Sequence, residues 1–280
     1  MSLVLPVPTF DHVVVNARDR LDDAADTYRR LGFTLTPRGY HTLGSMNHLA
    51  IFGTDYLELI AVPPGETRRP EVMAAPNGLN GLVFAMEDAA GTEAALREAG
   101  VPVSPFMQFS RPVELANGSE DAAFRTVHLE PGSVPAGRVY FCQHLTRRLV
   151  WRDEWRHHAN GTVGVAGAVI AAADPQPLAA LFRRMFGDDA VHPVAGGHRV
   201  VVGLAHLDLV TEAAARDVFG TALPDAAGRE SFMVGLILRT TSLDRAAAAF
   251  KAGGIDAASH AGRLVVPAEA AFGAALAFQA

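Results

Sequence analysis

Residues 10–35 read FDHVVVNARDRLDDAADTYRRLGFTL, and the sequence repeats this pattern three more times. Asp11 to Val15 has the two-residue alternation of a strand. From Asp19 onward Leu21, Ala24, Ala25, Tyr28 and Leu31 recur at helical spacing. Gly32 then closes the helix, and Phe33-Thr34-Leu35 begins another extended stretch. The second copy runs from Leu82–Ala85 through Asp88 and an alanine-rich helix to Gly100. The third runs from Ala168–Ala171 through Asp174 to Gly187, and the fourth from Met233–Leu238 through Ser242 to Gly253. Strand-like segments follow each helix: 33–38, 47–52 and 55–61 in the first copy, 125–129 and 138–144 in the second. The order strand, helix, then further strands therefore appears four times. Repetition at this scale constrains a fold more than local propensity does.

A sheet covered by helices on one face leaves its other face open, so such units should pair into curved sheets with helices outside. The expected architecture is α+β: four βαβββ modules in two cups. The first domain is expected over residues 8–145 and the second over 162–280. Residues 146–161, which hold Trp151, Trp155, His157 and His158, read as the connector.

Composition narrows the function. The 280 residues are 49% hydrophobic with a formal net charge of −6 and no lysine- or arginine-rich stripe, which argues against nucleic acid as a partner. The single cysteine, Cys142, excludes an internal disulfide framework and fits a reducing compartment. No apolar run is long enough to cross a membrane and the N-terminus does not read as a signal peptide, so a cytoplasmic protein with no membrane partner is expected. No dinucleotide-binding, P-loop or nucleophile-elbow pattern is present.

Two strands place an ionisable group in an apolar run: His12 in Asp11–Val15, and Glu58 in Tyr56-Leu57-Glu58-Leu59-Ile60. A carboxylate among such neighbours must be hydrogen-bonded, paired or metal-bound to be buried. The plainer alternatives are a strand-edge glutamate reaching solvent and a core or capping histidine. His41, Asn47 and His48 form a second group; only one of Asn47 and His48 can face the cup, because strand side chains alternate. A loop histidine such as His41 could shuttle protons.

These residues carry a resemblance. The segments Phe10–Val14, Arg38–His48 and Tyr56–Ile60 look like the first module of the vicinal oxygen chelate superfamily, and in particular of its glyoxalase-like domains. The resemblance implies a divalent metal (Zn, Mn, Fe, Co or Ni), or none in the family's drug-binding members. It places metal ligands at His12 and Glu58, with His144 on the last strand of the second module as the third. Glu58, His41 and His48 are then the expected catalytic groups, and Asn47, Tyr56, Tyr140 and Trp151 the expected substrate contacts. Position 80 or 81 of the second module and Gly167 and Gly235 of the later ones offer no comparable ligand, which confines the site to the first cup. The expected function is a metal-dependent lyase or isomerase acting on a small oxygen-rich organic substrate. A metal-free small-molecule binding or sequestering protein and a ring-cleaving dioxygenase are the alternatives. Whether the chain forms a homodimer is left open.

Overall fold

The structure is a computed structural model and describes residues 8–280. Its first half contains β1 (Phe10–Asn16), α1 (Leu21–Arg30), β2 (Gly39–Tyr40), β3 (Met46–Ile51), β4 (Tyr56–Ala61) and α2 (Pro70–Ala74). These are followed by β5 (Gly78–Ala85), α3 (Ala89–Glu98), β6 (Met107–Leu115), β7 (Gly118–His128) and β8 (Arg138–His144). The eight strands form one sheet in the order β2-β3-β4-β1-β5-β8-β7-β6. The second half contains β9 (Thr162–Ala172), α4 (Gln176–Phe186), β10 (Val191–Val194), β11 (Gly197–Val202), β12 (Ala205–Val210) and α5 (Glu212–Phe219). After these come β13 (Ser231–Thr240), α6 (Leu243–Ala252), β14 (Ala258–His260), β15 (Arg263–Val266) and β16 (Ala275–Gln279). Its sheet follows the same order, β10-β11-β12-β9-β13-β16-β15-β14. Each half is two βαβββ modules joined through an antiparallel pair of first strands, β1 with β5 and β9 with β13. Within each module the first strand runs parallel to the last.

Alternation along the strands separates two surfaces. Val13, Val15, Leu57, Leu59, Leu82, Phe84, Val139 and Phe141 face the helices, whereas Val14, Tyr56, Ile60, Val83, Tyr140 and Cys142 face the cup. The helix-facing sides of both sheets belong to one core, joined by contacts such as Phe84–Phe186 (5.0 Å between ring centroids) and Phe33–Phe278 (6.3 Å). Helices α1 and α6 meet so closely that a Cβ on Gly253 would fall 1.8 Å from the Arg30 carbonyl oxygen. No helix among the described residues is long and apolar enough to cross a membrane.

N-cap side chains close the starts of α3, α5 and α6, whereas α1, α2 and α4 have no such cap. Asp88 accepts a hydrogen bond from the Ala90 backbone N–H, and the Ser242 hydroxyl accepts one from Arg245. Asp19 does not cap α1, which begins at Leu21 with Arg20 before it. Two strand expectations are corrected. Residues 33–38 form no strand; a hydrogen bond from Thr36 N–H to the Leu49 carbonyl anchors the segment instead. The long β6–β7 hairpin exceeds the short 125–129 strand expected, because Pro112 in β6 obscures a strand that is tolerated at the sheet edge.

The two cups are filled differently. Helix α5 and the turn after it lay Ala215, Phe219 and Ala222 against Val169, Val234, Ile237 and Ala277, which fills the second cup with apolar side chains. In the first cup only one end is occupied, by Leu149, Val150, Trp151 and Trp155 of the connector. A cavity of about 830 Å³ remains at the other end. Phe219 is 1% exposed. Phe219→Ala should therefore lower the unfolding free energy by about 3–5 kcal/mol, read from denaturant titration, without altering ligand or metal binding in the first cup.

Candidate functional site

The first cup gathers its polar groups on β1 and β4. The two strands run parallel, with His12 opposite Tyr56 and Val14 opposite Glu58. Side chains of His12 and Glu58 both enter the cavity, with His12 Nε2 3.7 Å from Glu58 Oε2. The His12 ring lies flat on Tyr56, 4.4 Å between centroids, and its Nε2 is 3.3 Å from the Tyr140 hydroxyl.

Behind this pair stands Asp11. Strict alternation would send Asp11 and His12 to opposite faces. A bulge in the β1–β5 ladder between Phe10 and His12 leaves Asp11 without a partner residue and turns it back toward the cup side. Its Oδ1 is 2.5 Å from His12 Nδ1 and 3.0 Å from His144 Nε2. Burial alone would raise the Asp11 carboxyl. The charge of His144 and the hydrogen bonds from His12 and His144 outweigh burial and hold the carboxyl far below its ordinary value. An ionised Asp11 accepts both bonds, so a proton sits on His12 Nδ1 while Nε2 is turned to the cavity.

Glu58 is equally constrained. Asn47 Nδ2 donates to its Oε1 at 2.7 Å, and His41 Nε2 stands 4.0 Å from the same oxygen. Burial pushes Glu58 up, but His41, His12, the Asn47 hydrogen bond and Arg138 together hold it below the usual glutamate value. His41 moves the other way: burial, with Arg111 and Arg69 adding to it against Glu58, lowers its pKa to about 4. At neutral pH it is an uncharged ring, bonded through Nδ1 to the Ser45 hydroxyl at 2.8 Å.

Of the residues singled out in the sequence, His12, His41, Asn47, Tyr56, Glu58 and Tyr140 line the cavity. Three do not. His48 points away from the cup because β3 alternates, and its Nδ1 hydrogen-bonds the Thr36 carbonyl oxygen at 2.7 Å. His144 lies at the far end of β8, where it meets Asp11 rather than the cavity. Trp151 packs behind the wall against Tyr56 and His144, with the Arg147 guanidinium 3.5 Å above its ring. Asp11, Arg111 and Arg138 belong to the site or its support and were not expected. Arg138 shares a face of β8 with Tyr140 and was legible in principle. Arg111 lies on the unexpected strand β6, and Asp11 is turned inward by a bulge that alternation does not foresee.

Two donor sets could hold a metal ion. One is the cavity pair His12 and Glu58, the other the buried cluster Asp11, His12, Cys142 and His144, whose ligand atoms lie within 4.8 Å of one another. In the buried cluster, Asp11 is already hydrogen-bonded to both histidines. The Cys142 thiol is pushed well above its ordinary value by burial and by the nearby Asp11 and Glu58 charges. The cavity pair fits a divalent ion better: a histidine Nε2 and a carboxylate oxygen face open space, and the other histidine nitrogen is fixed by a buried carboxylate.

Buried neutral histidines also set an acid limit. Burial lowers His41 and His158 from 6.5 to about 4 and His128 to about 3. Below pH 6.5 the unfolded chain takes up protons that these folded sites refuse, so stability should be full above 6.5 and fall as the pH drops toward 4. Urea midpoints measured between pH 8 and 4 should show this decline, and His128→Gln should flatten it.

The glyoxalase-like domain family matches this sequence over residues 10–186, which takes in the whole first sheet and the opening strand and helix of the second. Among curated proteins nothing matches. Solved structures share the fold at low identity. A hypothetical protein from Staphylococcus aureus is 14% identical with a TM-score of 0.67, covering 98% of this chain and 99% of that one. A mutant 4-hydroxymandelate synthase from Streptomyces coelicolor is 12% identical with a TM-score of 0.55, covering 90% and 77%. A fusion of a xylose isomerase-like TIM barrel with 4-hydroxyphenylpyruvate dioxygenase is 14% identical with a TM-score of 0.56, covering 91% of this chain and 40% of that protein. With residues 10–186 of its 280 matched, the chain belongs to the glyoxalase-like domain family.

Proposed function

We propose that the protein is a metal-dependent enzyme acting on a small oxygen-bearing organic substrate in the first cup, with His12 and Glu58 as its protein ligands for a divalent ion. The supporting observation is the cavity-facing pair, 3.7 Å apart, with the distal nitrogen of His12 tied to a buried carboxylate. A bound divalent ion of the Mn, Fe, Co, Ni or Zn type would supply Lewis-acid polarisation of a substrate oxygen.

The chain's own residues divide the remaining work. Asp11 fixes the tautomer and ring plane of His12, and His144 holds Asp11 rather than supplying a third ligand. Asn47 fixes the rotamer of Glu58. His41, an uncharged ring with Nε2 3.2 Å from Asn47 Nδ2 and 4.0 Å from Glu58 Oε1, helps to position both. The Tyr140 hydroxyl can donate to an oxygen bound near His12 Nε2. Apolar walls from Leu49, Ile60, Phe109 and Phe124 exclude water around these groups.

A metal-free binding protein is the second reading, and the internal repeat favours it at one point. Glu58 pairs with Val14 as Tyr140 pairs with Val83, so Tyr140 occupies in the second module the position of Glu58. Gly81 stands on β5 two residues before Val83, and a Cβ there would lie 2.8 Å from the Val14 Cβ. The second module therefore adds no ligand pair of its own. Helix α5 packs apolar side chains into the second cup, which speaks against a ring-cleaving dioxygenase working there.

Metal content of the purified protein, and uptake from Mn, Fe, Co, Ni and Zn solutions, test the main reading. His12→Ala and Glu58→Ala should abolish uptake, Asp11→Asn should weaken it about 10–100-fold, and Cys142→Ala should leave it unchanged. Loss in Cys142→Ala with retention in Glu58→Ala would place the ion in the buried cluster and overturn the assignment.

A further inference from the structure

Two of the four arginines that line the cavity form no ion pair with a carboxylate among the described residues. Arg111 reaches in from β6 and is 4% exposed; Arg138 reaches in from β8. The Nη2 atom of each is buried and has no hydrogen-bond partner among the described residues. Arg138 donates only through Nε, to the Asn80 side-chain oxygen at 3.3 Å. The other two cavity arginines are matched: Arg68 lies against Glu66 and Arg69 against Glu71. Burial lowers both Arg111 and Arg138 from their ordinary values, the signature of guanidinium ions deprived of water. Glu58 is the remaining buried carboxylate nearby, and it already serves Asn47, His12 and His41.

The backbone is shaped to admit this arrangement. A Cβ on Gly39 would lie 2.5 Å from Asn47 Oδ1, 2.9 Å from Arg111 Cδ and 3.0 Å from Arg111 Nη1. Glycine at this position lets the Arg111 side chain settle beside Asn47, whose Oδ1 is also buried without a partner. Unpaired buried guanidinium groups are strongly disfavoured unless an anion completes them. Their planar forks suit a carboxylate, and the apolar remainder of the cavity, from Leu43 and Leu49 to Phe109 and Phe124, suits a hydrocarbon body.

We propose that the first cup binds an organic acid whose carboxylate is held by Arg111 and Arg138 while its apolar body fills the rest of the cavity. The proposal rests on the reading of this cavity as the substrate site and adds the substrate's chemical class. It does not require the metal. The guanidinium pair would fix the acid group and so orient the remainder of the molecule toward His12 and Glu58.

Binding to metal-stripped protein tests this, by calorimetry and thermal shift with phenylacetate, cyclohexanecarboxylate, phenylacetamide and phenyl phosphate. At least one carboxylate should bind saturably, and the neutral amide at least tenfold more weakly. Arg111→Met and Arg138→Met should each weaken the acid more than tenfold, with Arg111→Lys intermediate. The double methionine variant, without ligand, should melt no lower than the parent protein, because it removes unpaired buried charge. Equal binding of acid and amide, no binding of either carboxylate, tighter binding of the phosphate ester, or unchanged acid binding in the methionine variants would overturn the proposal. Metal uptake is measured separately: acid binding without metal uptake defeats the metal reading alone, and metal uptake without acid binding defeats this one alone.

Discussion

The carboxylate of Asp11 is the constraint on which the site depends. It is 2% exposed and accepts hydrogen bonds from His12 and from His144, residues that belong to different modules of the first cup. One buried anion thus ties β1 to the far end of β8 and sets the orientation of the histidine that faces the cavity. Its low carboxyl pKa is the measure of that constraint: two imidazole donors overcome a burial penalty that would otherwise keep the acid protonated. The bulge that delivers Asp11 to this place is a local break in the β1–β5 ladder, so a departure from regular pairing supports the chemistry.

The two halves of the molecule show how one topology comes to different ends. Both sheets have the same strand order and share one helix-side core, yet the first retains a large cavity where the second is packed with apolar side chains. The difference lies in the path of the chain beyond the last strand of a module. After β12 the chain turns into α5, whose Phe219 fills the second cup. After β8 it makes short helical turns whose aromatic residues close one end of the first cup and leave the other open. The second half therefore supplies apolar bulk behind the first, through contacts such as Phe84 with Phe182 and Phe186.

Charge in the remaining cavity is arranged asymmetrically. The β1–β4 side holds Glu58, which its neighbours keep ionised despite burial, and His41, which burial keeps neutral. The β6–β8 side holds two guanidinium groups with unused donors. A pocket in which polar groups converge on few points, within otherwise apolar walls, is built to orient a ligand more than to hold it by area alone.

Much of the architecture was legible in the sequence. The fourfold recurrence of strand, helix and strands gave the modules, and helical spacing with glycine closures marked α1, α3, α4 and α6. His12 and Glu58 stood out because an ionisable group in an alternating apolar strand demands a partner, and the parallel pairing of β1 with β4 brings them together. The rest needed three dimensions. His48 and Asn47 are neighbours in sequence, and only the register of β3 sends Asn47 to Glu58 and His48 to the Thr36 carbonyl. His144, expected as a third ligand, stands with its Nε2 3.0 Å from Asp11 Oδ1, in the buried cluster with His12 and Cys142 rather than on the cavity wall. Arg111 lies on a strand hidden by Pro112, and its importance depends on a buried Nη2 that has no hydrogen-bond partner among the described residues. Sequence periodicity determined which faces are apolar, because alternation is a local property of a strand. The tertiary structure decided which polar groups meet, because bulges, edge pairings and unmatched charges depend on contacts between distant segments.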